Sequence, residues 1–348
     1  MSPDILRLPV GDNPPTARLY YGQDVRETLR SLPEKSVQTI CTSPPYQGLR
    51  SYGTEPQVWG GKADCDHDWA DSSVVRKGST NGRADTNSTL VSTGAPKTLA
   101  PGEQNDHGNT KQCRTDPSCT CSKCGAWRGN LGLEPDPDLY IEHLVEVFRE
   151  ARRVLRDDGT IWLNLGDTYA AVYLPGRKLP KGIKPKDLVG IPWMAALALQ
   201  EDGWYLRSDI IWSKPACMPE SVSDRLSRNH EYIFLLSKQS SYFYDQDSVR
   251  EPYSSVQTGR AASVQRDSGK NFGMKPPGQI YAQKREGREM ESVYQNGGRN
   301  RRTVWVITPK PYHGAHFAVW PPDLARLMIL AGSAPRACPK CAGLGGCR

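Results

Sequence analysis

Apolar residues recur along the chain in two alternating periods. Val25, Leu29 and Leu32 share one helical face, Asp24 stands at the N-cap position, Glu27 completes a capping box and Pro33 follows, which predicts a short helix over 24–32. Residues 36–42 (SVQTICT) then form an apolar, β-branched strand that runs into Ser43-Pro44-Pro45-Tyr46. Two prolines end such a strand abruptly and expose the turn at its carboxyl end. Helical spacing returns over 138–155 through Ile141, Leu144, Val145, Phe148, Ala151 and Leu155. Asp157-Asp158-Gly159 predicts a turn, and 161–165 (IWLNL) a buried strand ending in Gly166-Asp167. The same grammar gives a helix over 191–200 closed by Gly203 and a strand over 205–212. Two strands, 231–236 and 242–244, are joined by a polar turn, and a strand at 303–307 precedes a helix over 322–330. Strands alternating with helices predict an α/β fold, a Rossmann-like doubly wound sheet with an antiparallel edge hairpin. Ligands of such sheets bind beyond the carboxyl ends of the strands, where Ser43–Tyr46 falls.

Periodicity disappears between residues 57 and 125, and 71–118 are dominated by Ser, Thr, Gly, Asn and Asp. That composition predicts an inserted polar loop too poor in apolar groups to fold on its own contacts. Five of the ten cysteines lie in this region, and three more, Cys338, Cys341 and Cys347, crowd the last residues. Cys65-Asp66-His67 and Cys121-Ser122-Lys123-Cys124 supply four ligands at spacings suited to one tetrahedral, structural zinc ion. Such an ion would anchor the ends of the insertion, with Trp69 and Trp127 packed over the knuckles. Cys113 and Cys119 are alternative ligands, and Cys338-Pro339-Lys340-Cys341 resembles half of a second ribbon that lacks a fourth partner.

Charge sharpens the picture because it is local. Residues 250–310 carry 12 Lys/Arg against 5 Asp/Glu, an excess equal to the +7 of the whole chain. A neutral body with one basic stretch fits a protein that meets a polyanion at one face. No apolar run approaches the roughly 18 residues of a membrane span, and Met1-Ser-Pro-Asp opens no signal peptide, so a cytoplasmic protein without a membrane partner is expected.

Thr42-Ser43-Pro44-Pro45-Tyr46 after a hydrophobic strand resembles the catalytic motif of the β-class amino DNA methyltransferases, and its Ser-initiated form is similar to that of the cytosine-N4 enzymes. The resemblance implies methyl transfer from S-adenosylmethionine to an exocyclic amine of double-stranded DNA with the target base flipped out, N4 of cytosine or alternatively N6 of adenine. Such an amine is a poor nucleophile, because its lone pair is delocalised into the ring. Acceptors such as the Ser43 hydroxyl and a proline-stiffened Pro44 carbonyl can draw its protons away, and Tyr46 offers a ring for stacking. Pro45 belongs to the same catalytic string.

Tyr21-Gly22-Gln23-Asp24 is similar to the family's Gly-Asp near the cofactor, although Asp24 serves equally as a helix cap. The resemblance adds Thr42 and the string His316-Phe317-Ala318 to the cofactor side. The carboxylate of Asp167 either lines the site or makes a turn, whereas His230 and His316 read as packed histidines. Arg299, Arg301 and Arg302 look like the close of a DNA-binding target-recognition region.

The implied organisation is a core of 17–56 and 126–248, the 57–125 insertion, a recognition region at 249–302, a return strand and helix at 303–335 and a cysteine-rich end at 336–348. The family's Asp-Pro-Phe-x-Gly-x-Gly cofactor loop has no counterpart after residue 331. The expectation is therefore that a C-terminal segment or a second chain completes the cofactor site. The alternative is a noncatalytic, zinc-containing DNA-binding protein.

Overall fold

A computed structural model of the chain describes residues 4–7, 16–20, 22–48, 54–69, 119–170, 182–217, 220–252, 298–310 and 319–334. Its centre is a five-stranded sheet of order β3-β6-β8-β7-β9, formed by β3 (Val37–Thr42), β6 (Leu155–Leu165), β8 (His230–Ser237), β7 (Tyr205–Ser213) and β9 (Val304–Val306). Two small ribbons accompany it, β1 (Asp4–Arg7) with β2 (Thr16–Leu19), and β4 (Gln57–Trp59) with β5 (Trp127–Gly129).

Strand alternation sends the side chains of the sheet into two separate cores. Ile161, Leu163 and Leu165 of β6, with Phe234 and Leu236 of β8, face α2 (Pro137–Val154) and α3 (Ile191–Glu201), where Tyr140, Leu144, Phe148 and Leu199 complete a buried cluster. Trp162, Ile233 and Leu235 point the other way, toward Trp305 and the Leu324 and Met328 of α4 (Pro322–Gly332). Helices on both faces of a mixed sheet make the doubly wound α/β architecture that the alternating periods predict. The first short helix, α1 (Val25–Ser31), is capped by Asp24, whose carboxylate accepts from Arg26 N.

Two expectations are corrected. The antiparallel element is not an edge hairpin: β8 lies inside the sheet, antiparallel to both β6 and β7. Its hairpin partner is the preceding β7, while 242–244 is not a strand. Phe243 N donates singly to Asp158 O in β6 and Asp245 N to Ala331 O at the end of α4, so this segment is held by two isolated bonds rather than by a ladder. Nor do Asp157-Asp158-Gly159 close a separate turn: they lie within β6, which follows directly on α2, at a register shift against β3. The polar pair is satisfied laterally, Asp157 by Lys35 and Lys238 and Asp158 by Arg156. Gly159 permits close approach instead, since a Cβ there would lie 2.8 Å from the Gln38 carbonyl.

Candidate functional site

The carboxyl ends of β3, β6 and β7 and the amino end of the antiparallel β8 meet on one side of the sheet, because β3, β6, β7 and β9 are mutually parallel. Ser43-Pro44-Pro45-Tyr46 leaves β3 there, with Ser43 exposed. Ser43 Oγ donates to the Tyr46 hydroxyl at 3.4 Å, and that hydroxyl shares its one proton between Glu231 Oε2 at 2.9 Å and Asn164 Oδ1 at 3.2 Å. Asn164 also accepts from Trp320 Nε1 at 2.9 Å and donates to Tyr232 O. Lys214, just past β7, pairs with the other oxygen of Glu231. Burial first, then the Glu231 charge, holds the Tyr46 hydroxyl well above its ordinary pKa, so it remains a neutral donor at every working pH.

The backbone of the loop is gripped from behind. Tyr140 of α2 donates to Pro45 O at 2.9 Å, and Gly48 N donates to Gly132 O at 2.7 Å. Gly132 has φ +89°, and a Cβ there would meet the Pro45 and Tyr46 carbonyls at 3.1 Å, so only glycine fits this wall. Gly166 plays the same part beyond β6, where a Cβ would sit 2.6 Å from the Tyr46 ring. With the Pro45 carbonyl occupied, the Ser43 hydroxyl and the Pro44 carbonyl remain acceptors at the loop, and Pro44 O receives no hydrogen bond among the described residues.

The remaining sequence-predicted residues divide sharply. Thr42 closes β3 beside Leu163. Asp24 spends its carboxylate on the α1 cap and on the nearly buried Arg26, which also bonds Glu146 and lies 3.8 Å over the Trp59 ring. Asp167 takes the capping role over a long reach, its Oδ1 accepting from the amides of Thr168, Gly190 and Ile191 at the start of α3. His230 is pushed down by burial and then by Arg228, consistent with a packed neutral ring.

His316, Phe317 and Ala318 lie outside the described residues, as do Cys113, Cys338, Cys341, Cys347 and most of the basic stretch. Arg299, Arg301 and Arg302 are not brought to the loop. They precede β9 and so stand toward the opposite end of the sheet, near Ser208 and Tyr242. There Glu251 bonds both Arg299 and Arg302, and Arg301 donates to Val249 O.

Cys65, His67, Cys121 and Cys124 are brought together, their ligand atoms all within 4.8 Å of one another. Cys119 instead belongs to the hydrophobic core. Against the opposing effect of burial, the His67 contact and the amides of Cys124, Lys123 and Asp68 draw the Cys121 thiol down to about 6. Cys41, by contrast, is pushed up to about 12 by burial and packs partly buried against the Trp162 cluster.

Sequence reasoning missed Asn164, Tyr140 and the pairing of Glu231 with Tyr46. Asn164 and Glu231 left a trace: a polar residue inside the apolar run IWLNL, and an acid opening the apolar strand EYIFLL.

With the sheet and the Ser43–Tyr46 loop at its carboxyl end in view, the family model for DNA methylase of the N6/N4 class matches residues 37–338; the chain belongs to this family. Among individual relatives, it is 44% identical over 224 residues to the type II methyltransferase M.SmaI of Serratia marcescens, covering 60% of this chain and 63% of that protein. It is 35% identical over 334 residues to the type II methyltransferase M.Cfr9I of Citrobacter freundii, covering 92% of this chain and 73% of the relative. The chain thus spans about two thirds of the length of these relatives. A solved structure, the PvuII DNA methyltransferase (cytosine-N4-specific), aligns with 90% of this chain and 69% of its own at 15% identity and a TM-score of 0.41. Among the described residues no helix is long and apolar enough to cross a membrane.

Proposed function

We propose that the chain carries the catalytic part of a DNA methyltransferase that moves the methyl group of S-adenosylmethionine to N4 of a cytosine flipped out of double-stranded DNA. The observation that carries this reading is the loop itself: an exposed Ser43 hydroxyl beside an unoccupied Pro44 carbonyl, in a backbone fixed by Tyr140 and Gly132. Both amine protons have an acceptor there, so the nitrogen lone pair can turn toward the sulfonium carbon without a dedicated nucleophile. The transferred methyl leaves with no bonding pair, which stays on sulfur as the thioether, and the amine surrenders one proton. Tyr46, locked through its hydroxyl, orients Ser43.

S-adenosylmethionine supplies the methyl group. Among the described residues β3, the strand bearing the loop, is the end strand of the sheet, with its residues only half buried. Such an edge accepts a further strand readily, and it is where we infer that a glycine-rich cofactor segment, in the same or a second chain, would complete the site.

Calorimetry with S-adenosylmethionine, followed by mass spectrometry of nucleosides from treated DNA, tests the reading. N4-methylcytosine is expected. N6-methyladenine alone would replace the base assignment, and DNA binding without cofactor binding would favour the noncatalytic alternative. Ser43→Ala is expected to lower transfer by roughly 100-fold while DNA affinity is kept; unchanged turnover would remove Ser43 from the mechanism.

A further inference from the structure

The Cys65/His67 and Cys121/Cys124 pairs are more than 50 residues apart in sequence, yet they close on one point. Cys65 Sγ lies 3.9 Å from Cys121 Sγ, and Cys124 Sγ lies 3.4 Å from His67 Nδ1. A tetrahedral zinc ion with three thiolates and one imidazole requires sulfur–sulfur edges of about 3.8 Å and sulfur–nitrogen edges of about 3.5 Å. These two edges have that size and every pair of the four ligand atoms lies within 4.8 Å, whereas a disulfide would bring two sulfurs to about 2 Å.

The surrounding backbone has the form of a built knuckle. Gly125 N returns to Cys121 O at 2.9 Å, Cys121 N to Ala126 O at 2.7 Å and Ser122 N to Asp68 O at 3.0 Å. Gly61 leaves the space that Cys124 needs, since a Cβ there would stand 2.8 Å from its sulfur. The Trp69 ring lies 4.9 Å from that of His67. Four protein ligands fill the coordination shell, so the ion has no open position for substrate or water.

From the knuckle a continuous set of contacts runs to the Ser-Pro-Pro-Tyr loop. β5 leaves Cys124 within three residues and pairs with β4. Trp59 of β4 and Trp127 of β5 sandwich the imidazole of His143 on α2, with centroids 4.9 and 5.4 Å away. His143 Nδ1 meets Glu134 Oε1 at 2.9 Å, both side chains being almost wholly buried. The other Glu134 oxygen accepts from Gly132 N at 2.8 Å, and Gly132 is the residue that holds Gly48 and abuts Pro45.

We propose that Cys65, His67, Cys121 and Cys124 bind one zinc ion, and that this closed knuckle braces the loop carrying Ser43 through the Trp59–His143–Trp127 stack and Glu134. Metal binding stands on the quartet alone; the brace stands on the contacts behind the loop and is read without any activity measurement.

The test uses the full chain produced with zinc under reducing conditions. Elemental analysis should give one zinc per chain, and exchange for Co²⁺ should give the intense visible bands of a tetrahedral, thiolate-bound ion. Cys121→Ser with Cys124→Ser should retain less than a tenth of an equivalent. Because those variants can fail to fold, the unmodified protein is also stripped with a chelator and reloaded. Amide hydrogen exchange at Gly48 and Gly132 should quicken at least tenfold without metal and recover with it, while β8 amides stay protected. Metal content near zero in the folded protein, six-coordinate cobalt spectra or a Cys65–Cys121 disulfide in peptide mass spectra would overturn the site. Exchange at Gly48 and Gly132 that ignores the metal would overturn the brace.

Discussion

Tyr46 is confined on every side that matters, by Gly166 against its ring and by Glu231 and Asn164 at its hydroxyl. Removing that hydroxyl leaves Glu231 paired with Lys214 but strips Ser43 of its acceptor and Asn164 of a donor. Tyr46→Phe is therefore expected to cost about 1–2 kcal/mol, seen as a melting temperature lower by a few degrees in circular dichroism. Gly166→Ala acts through space instead. The new methyl would overlap the Tyr46 ring, so denaturant unfolding should show a loss of about 1–3 kcal/mol. Methyl transfer should fall further than stability, because the ring and Ser43 move together; a variant unchanged in both would mean that the ring is free to shift. The pH dependence of transfer should carry no contribution from Tyr46, whose hydroxyl is held protonated by burial and by Glu231.

At the scale of elements, the clasp ahead of β9 has a definite pH response. Burial opposes ionisation of Glu251, but the Arg302 amide and guanidinium and then Arg299 outweigh it and hold its pKa below the ordinary value of 4.5. A carboxyl depressed on folding contributes stability that is complete above its unfolded pKa and is lost as pH falls through the folded one. The Glu251–Arg299 bridge should therefore open below about pH 4.5, followed by hydrogen exchange at the paired amides of Glu251 and Arg299, and Glu251→Gln should flatten that response.

Elements with their own periodicity were legible before folding: α3, α4 and β7 lie within about two residues of their expected limits. The misreadings share a cause, since whether Asp157–Gly159 turns or pairs, and where β8 inserts, depends on partners far away in sequence. The site shows the same division. Ser43–Tyr46 and the cysteine pairs are local strings, whereas Glu134, Gly132 and Asn164 acquire meaning only when other elements arrive. The pairing of Arg299 and Arg302 with Glu251 joins residues about fifty positions apart and likewise has no local signature.

For the molecule as a whole, the two cores are joined by a single sheet, and Trp162 is the largest fully buried side chain on the α4 face. Trp162→Ala should cost about 3–5 kcal/mol and loosen α4, measured by thermal unfolding, while the α2/α3 face keeps its packing. The interior position of β8 has a further consequence, in time rather than in space. The bond from Tyr46 to Glu231 closes a separation of 185 residues, and β6 cannot acquire its second neighbour until β8 has been made. Contacts so distant form late, because the intervening chain must first be ordered. A growing polypeptide of two hundred residues already contains Ser-Pro-Pro-Tyr with Asn164 and Gly166 but not Glu231, so the Tyr46 hydroxyl gains its second acceptor only when synthesis has passed the strand that divides the sheet.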